Sequence, residues 1–496
     1  MNVNPITRLD YPDPDVIRVE DTYYMVSTTM HFMPGCEILQ SFDLVHWEHA
    51  TYVYETLDHT DAQQLKSGQN IYGQGMWAAS LRYHEGRFYI CFVANDTRKT
   101  YLYTSEKIDG PWKKQLIEGF YHDGSLLFDE DGRNYIVYGN DEIWITELNE
   151  DLTAPKKDGL HRLLVSDHKN PELGYEGSHI QKINGYYYIF LIHSLRDRWM
   201  RTEACFYSDS LEGEFTGGDV LCDDRGYCGQ GMAQGGIVDT PDGKWYAMLF
   251  QDSGAVGRLP ILLPVTWKDH FPVFGQNGHV PEEIEVHSTR PGYIYQPLVG
   301  SDDFCNGLLP RWQFNHDPDP RYYHLDALQG TYTITTREVC TELTQAVNTL
   351  TQRMSYPSCA AEVTVDASAL KEGDVAGLCA FQGCYAAVGI TKHHGKYEVL
   401  MLDKKEDGIL DMTEGTVVES HQMDFRLEAD FCNMKDEARC YYRVNKGDWL
   451  PIGTVHKLYF KLDHFTGCRF GLFCYAAEET GGSACFRDFK YYDVDE

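Results

Sequence analysis

Residues 123–135 read Asp123-Gly-Ser-Leu-Leu-Phe-Asp-Glu-Asp131-Gly132-Arg-Asn-Tyr135: a short apolar run, an Asp-Gly pair, then an aromatic that opens the next apolar run. This is a β-hairpin signature, because Asp-Gly tolerates the positive φ that a tight turn between twisted strands demands. The pattern recurs. Asp13-Pro-Asp-Val-Ile17 runs to Tyr23-Tyr24, and Trp77-Ala-Ala-Ser-Leu81 passes Glu85-Gly86 to reach Phe88-Tyr89. Glu176-Gly-Ser-His-Ile180 passes Asn184-Gly185 to Tyr187-Tyr188, and Gln234-Gly-Gly-Ile-Val238 passes Asp242-Gly243 to Trp245-Tyr246. Counting from each first residue, an apolar side chain falls four later in all five copies. In the last four a glycine falls nine later and an aromatic twelve later. The starts at 13, 77, 123, 176 and 234 are 46 to 64 residues apart, near or above the about 40 to 50 of a four-stranded propeller blade. The repeat therefore predicts an all-β chain that opens with a five-bladed β-propeller over residues 1–297.

In a propeller the inner strand of every blade lines one channel, so equivalent positions converge on the axis. Here those positions hold Asp13, Trp77, Asp123, Glu176 and Gln234. Ordinary turn chemistry explains one acid before a glycine. It does not explain three on one axis beside a tryptophan, because converging like charges destabilise a fold unless they are used. Glycoside hydrolysis uses them: one carboxylic acid protonates the leaving oxygen while another carboxylate activates water or attacks the anomeric carbon.

Composition agrees. The 496 residues carry 43 Lys plus Arg against 75 Asp plus Glu, a formal net charge of −32, which repels phosphate backbones and anionic lipid. Neither nucleic acid nor membrane is an expected partner. Neutral sugars meet no such repulsion, and 34 Tyr and 9 Trp offer faces on which their C–H groups stack. With no signal-like leader and no apolar run of about 18 residues, a soluble cytoplasmic protein is expected. The odd number of cysteines, 15, without any CxxC pair, reads as reduced thiols.

Asn4-Pro5-Ile6, Tyr11-Pro12-Asp13-Pro14-Asp15, Trp77-Ala78, Asp123-Gly124-Ser125, Tyr175-Glu176-Gly177 and Gly257-Arg258, taken in order, resemble glycoside hydrolase family 43. The resemblance implies a five-bladed propeller enzyme, commonly a β-xylosidase or α-L-arabinofuranosidase, that inverts the anomeric centre. It implies Asp13 as general base, Glu176 as general acid, and Asp123 as the acid that orients Glu176 and tunes its protonation. Arg258 would contact substrate hydroxyls, Trp77 would form a stacking wall, and His31 and Phe32 would fall on the wall of the sugar subsite. Many relatives place a histidine in the fifth blade near an axial ion, often calcium. Gln234 stands there instead and is expected among the substrate-binding residues; no cofactor is expected for the chemistry, and a structural calcium ion on the axis stays open.

After Pro297 the repeat stops. Alternating strands such as 360–365, 376–381 and 397–402 predict a β-sandwich over residues 298–496, and the resemblance extends there, to a lectin-like jelly roll whose loop can reach the active-site mouth. The expected activity is removal of terminal β-1,4-linked xylose from xylo-oligosaccharides, with arabinofuranosidase activity as a second or main activity. A non-catalytic sugar-binding propeller is the alternative from another class. The oligomeric state, a homo-oligomer included, is left open.

Overall fold

The computed structural model describes residues 3–494. Five four-stranded antiparallel sheets follow one another along the chain. The first is built from Asp15–Val19, Thr22–Ser27, Gly35–Ser41 and Glu48–Tyr54, and the inner strands of the next four are Met76–His84, Ser125–Phe128, Glu176–Ile183 and Gly236–Asp239. The register makes the repeat a structural equivalence: Ile17 faces Tyr24, Leu127 faces Tyr135 and Val238 faces Tyr246, while Leu81 faces Ile90 and Ile180 faces Ile189. In the second and fourth blades the inner strand begins early, and register shifts between Trp77 and Ser80 and between Glu176 and His179 leave these hairpins one residue out of the register of the third and fifth. Such bulges re-aim side chains at strand ends, here Trp77 and Glu176.

Blades pack face to face through the residues the period-2 pattern points inward. Val26 and Ile38 of the first blade meet Leu81, Ile90 and Phe92 of the second in one buried cluster, each side chain contributing about 1.5–3 kcal/mol by burial. The ring closes through the chain's start. Asn4 exchanges hydrogen bonds with Leu262 (2.7 and 2.8 Å), and the Ile6 and Tyr11 amides donate to the carbonyls of Pro260 and Arg258 in the fifth blade.

The axis is filled by a side chain. Arg82, from the second inner strand, donates to Asp15 Oδ2 in the first blade (2.7 Å), to Ser125 Oγ in the third (2.6 Å) and to the Ile180 carbonyl in the fourth (3.2 Å). His179 Nδ1 lies 3.1 Å from the other Asp15 oxygen. Burial alone would raise the Asp15 pKa, but Arg82 and His179 outweigh it and hold the carboxyl below its usual range.

The second half is a sandwich of two sheets. One carries Leu350–Arg353, Asp374–Phe381, Ala386–His393, Lys396–Lys404 and Arg469–Ala476; the other carries Ser358–Asp366, Gln422–Asp430, Glu437–Val444 and Ser483–Asp493. A two-residue strand of the propeller, Phe32–Met33, pairs with Gln313–Asn315 and so becomes the edge of the first of these sheets. This concanavalin-like sandwich is thus stitched to the propeller by backbone hydrogen bonds as well as by side chains. The described residues include no helix long and apolar enough to cross a membrane.

Candidate active site

All five repeat-start residues lie at or just before the beginning of an inner strand, at one mouth of the channel. Asp13 (φ 52°) and Asp123 (φ 47°) both occupy the left-handed region, which non-glycine residues enter at a cost that surrounding contacts must offset. For Asp13 those contacts are Thr28 Oγ1, which donates to Oδ2 at 2.6 Å, and Arg258 Nη1, which donates to Oδ1 at 3.0 Å. Arg258 is itself buried at 2% exposure. Its guanidinium lies 4.2 Å from the centre of the Phe465 ring and 5.3 Å from that of Phe250, and its amide donates to Asp10 Oδ1 at 2.8 Å. The preceding residue must be glycine: Gly257 has φ 106°, and a Cβ there would stand 2.3 Å from Asp10 Oδ1.

Asp123 and Glu176 form the other side. Asp123 Oδ2 accepts the Gly177 amide at 3.1 Å, and Asn140 Nδ2 donates to Glu176 Oε2 at 2.7 Å. His122 bridges them, its Nε2 lying 3.6 Å from Asp123 Oδ2 and 3.6 Å from Glu176 Oε2. Burial pushes the Asp123 carboxyl up to about 6; His122 opposes this, and Glu176 and Asp13 add to it. The charge of Asp123 in turn is the main cause that raises His122 to about 9, against its desolvation.

Trp77 reaches over this pair, with Phe465 at 5.4 Å and His122 at 6.1 Å between ring centres. Its indole N–H is buried without a hydrogen-bond partner. Phe465 belongs to the sandwich: the loop between Leu450–Lys457 and Arg469–Ala476 descends on the mouth and is pinned there by the Gly467 amide, which donates to Asp10 Oδ2 at 2.8 Å. Trp77, Glu176, Trp199, Arg201, Phe460 and Phe465 are among the walls of a cavity of about 550 Å³ at this junction.

Of the eight residues expected at the site, Asp13, Asp123, Glu176, Arg258 and Trp77 converge. Gln234 lies beneath them, 5% exposed, its carboxamide packed so closely on Gly177 that a Cβ there would approach its Cδ to 2.2 Å. His31 and Phe32 correct the expectation of a sugar-facing wall. Both are fully buried in the seam between the two halves, His31 against Phe32, Tyr72, His316 and His464, and Phe32 beneath the Arg469 guanidinium at 3.5 Å. The reason is the short edge strand Phe32–Met33, which turns this stretch into the sandwich sheet.

Sequence reasoning missed His122, Asn140 and Phe465. His122 directly precedes a repeat start, but nothing in the repeat marks it, because the equivalent positions hold Pro12, Met76, Tyr175 and Ala233. Asn140 and Phe465 had no local signal, being 36 residues from Glu176 and 207 from Arg258 respectively. A calcium ion on the axis does not fit the side chains found there. The Arg82 guanidinium already supplies the cation to Asp15, and the Gln234 carboxamide is packed against Gly177. Among the described residues, the group of His, Asp and Glu oxygens and nitrogens close enough to share an ion is His122, Asp123 and Glu176, the acid pair itself.

A propeller with three carboxyl groups, a buried arginine and an aromatic wall at one mouth defines the class: a glycoside hydrolase. Residues 3–272 match the family model for glycosyl hydrolases family 43, and residues 301–492 match the β-xylosidase C-terminal concanavalin A-like domain. The chain belongs to glycosyl hydrolase family 43, whose relatives are named as β-xylosidases and arabinofuranosidases. A β-xylosidase of Formosa agariphila is 26% identical over 99% of this chain and 89% of its own length. A non-reducing end α-L-arabinofuranosidase of Bacteroides ovatus is 24% identical over 83% of this chain and 79% of its own. Among solved structures, a protein described as a bifunctional GH43-CE of Bacteroides eggerthii superposes with a TM-score of 0.92 at 42% identity. That match covers 99% of this chain, which spans 64% of the other protein's length.

Proposed function

We propose that this glycosidase is exo-acting and inverting, and that it removes terminal β-1,4-linked xylose from the non-reducing ends of xylo-oligosaccharides. Glu176 donates a proton to the glycosidic oxygen while Asp13 takes one from a water that attacks the anomeric carbon from the opposite face. The observation that carries this reading is the division of partners. Asp13 accepts hydrogen bonds from a hydroxyl and a guanidinium, donors that hold a carboxylate in place as the base facing the attacking water. Glu176 stands on the other side, with Asn140 as donor and Asp123 and His122 beside it. Asp123 positions Glu176 through the Gly177 amide. Arg258 and Trp77 hold the sugar, one by hydroxyls and one by its ring face. Phe460 and Phe465 at the mouth support exo action, because they line the cavity beside the acid where a long chain would have to continue. A cytoplasmic location would fit short oligosaccharides better than polymeric xylan.

The relative named as an arabinofuranosidase supports a second activity at the same acids, and kcat/KM on aryl β-xyloside against aryl α-L-arabinofuranoside decides which dominates. The roles are tested by Glu176→Ala and Asp13→Ala. Each is expected to lose at least about a thousandfold in kcat on an aryl xyloside; near wild-type turnover by either would remove it from the mechanism.

A further inference from the structure

The loop that follows Leu450–Lys457 divides two cavities. Phe460, Lys461, Leu462 and Phe465 face the one beside the acids, while Tyr459, Asp463 and His464 face a second, of about 320 Å³, on the loop's other side. That second space lies in the seam. One wall comes from residues 65–72, in the connection from the first blade to the second, and the others come from sandwich residues 342–345 and 404–408. Asp13, Asp123, Glu176 and Arg258 do not border it. We propose that the seam cavity is a second, non-catalytic binding site for a free monosaccharide, and that a sugar held there braces the loop over the active site. The proposal rests on the glycosidase reading only for its effect on turnover.

The walls select a neutral ligand. Their charges are already engaged: Lys404 pairs with Glu342, Lys405 with Asp411 and Glu406 with Lys461, and Asp463 accepts from the Tyr459 hydroxyl. A charged ligand would have to displace an internal partner. The groups left over are uncharged amides. Asn70 Oδ1 accepts the Tyr72 amide at 3.2 Å and Gln345 Oε1 that of Thr341 at 3.1 Å. Asn70 Nδ2, Gln345 Nε2 and the whole Gln69 carboxamide have no hydrogen-bond partner among the described residues. Carboxamides both donate and accept, as sugar hydroxyls do. Leu65 and Tyr72 add an apolar stretch of wall for the C–H side of a ring. A space of about 320 Å³ is at the small end for ligand sites, which favour the junctions of domains; it suits one sugar ring rather than a chain.

The same walls hold the loop. Tyr72 lies flat on His464, with 3.9 Å between ring centres, and its hydroxyl donates to the Thr344 carbonyl at 2.6 Å. The Tyr459–Asp463 pair leans on Gly383, where a Cβ would stand 2.3 Å from Asp463 Oδ2. His464 directly precedes Phe465, whose ring covers the Arg258 guanidinium at 4.2 Å. Glu406 and Lys461 tie a wall of one cavity to a wall of the other. A sugar packed between Tyr72 and Asp463 binds best when the loop is in this position, and so favours the position in which Phe465 covers Arg258.

Equilibrium dialysis of the full chain against labelled D-xylose, and separately against labelled L-arabinose, tests the site. The wild type is expected to hold two molecules of at least one of these sugars, and Gln69→Trp only one, because a large ring at this exposed position fills the seam cavity and leaves the active site open. Gln69→Ala, which removes a free carboxamide and no internal hydrogen bond, is expected to weaken the second binding about three- to tenfold and leave the first intact. Both variants are expected to keep kcat and KM on an aryl xyloside within about twofold of the wild type. Sugar in the active site competes with substrate and raises KM alone. Sugar in the seam is expected to raise kcat about twofold or more in the wild type and not in Gln69→Trp. Equal binding of both sugars by the wild type and Gln69→Trp would empty the cavity, and a wild-type kcat that falls or stays unchanged would remove the brace; either result overturns the proposal. If neither an aryl xyloside nor an aryl arabinofuranoside turns over, the glycosidase reading fails, while the dialysis still decides whether the site exists.

Discussion

At the scale of single residues, the site is held in a state the fold alone would not choose. Asp123 has a left-handed backbone and a buried carboxyl whose pKa is raised to about 6. Between the ordinary value near 4 and this one, the native state binds a proton that the unfolded chain has released, so its contribution to stability falls as pH rises through that window. Asp123→Asn removes the charge and keeps an acceptor for the Gly177 amide. It is therefore expected to abolish most activity yet raise the thermal midpoint at pH 7.5, by a gain on the order of 1–2 kcal/mol. The gain should shrink toward pH 4, where the wild-type carboxyl is protonated in both states. Melting curves of the two proteins at the two pH values check this; a destabilised variant at pH 7.5 would mean that the His122 contact, not burial, dominates. The acids themselves were legible from the repeat, because position in the blade is a statement about the axis. His122 and Asn140 were not, because each occurs in one blade only and acts through a neighbour that the repeat had already marked.

At the scale of elements, the sandwich loop that follows Leu450–Lys457 completes the propeller's site. Phe465 covers the Arg258 guanidinium at 4.2 Å and meets Trp77 at 5.4 Å. An exposed cation–π contact is worth about 0.5–1 kcal/mol and a desolvated one about 2 or more. Phe465→Ala is expected to lower kcat/KM on an aryl xyloside by roughly tenfold with little change in melting, since the loop stays pinned through Gly467 and Asp10. Kinetics and a melting curve on one preparation check both halves of that expectation. The blades were readable in advance because glycine, aromatic and apolar positions recur at fixed offsets, and the register bears this out at Leu127 opposite Tyr135 and Val238 opposite Tyr246. The loop's destination was not readable from this chain's own residues, since Phe465 and Trp77 are far apart in sequence and nothing local pairs them. The same limit explains His31 and Phe32: a two-residue strand is too short to announce itself, yet pairing with Gln313–Asn315 decides which way both side chains face.

At the scale of the whole molecule, the seam between propeller and sandwich buries a cluster of histidines. His31, His316 and His464 are buried together with Tyr72 stacked on His464 at 3.9 Å. Desolvation, with mutual repulsion among the rings, holds His31 and His316 well below the usual imidazole range, and desolvation brings His464 to about 4. The stability they contribute is present above about 6.5, and is lost as pH falls toward 4, because the unfolded chain takes up the protons first. This runs opposite to Asp123 and to Asp317, Asp374 and Asp436, whose carboxyls burial likewise raises to about 6, so the histidines' share is read by difference. Between pH 6.5 and pH 4, His464→Phe is expected to lose less of its thermal midpoint than the wild type; calorimetry of the two proteins across that range checks it.

The claim on which the rest stands is single displacement by Asp13 and Glu176 across a xylosidic bond. It is tested most directly by proton NMR of the first sugar released from xylotriose by the wild-type enzyme, recorded before mutarotation. The account predicts that the α-anomer of xylose appears first and the β-anomer grows in afterwards. Xylose that emerges first as the β-anomer would contradict it.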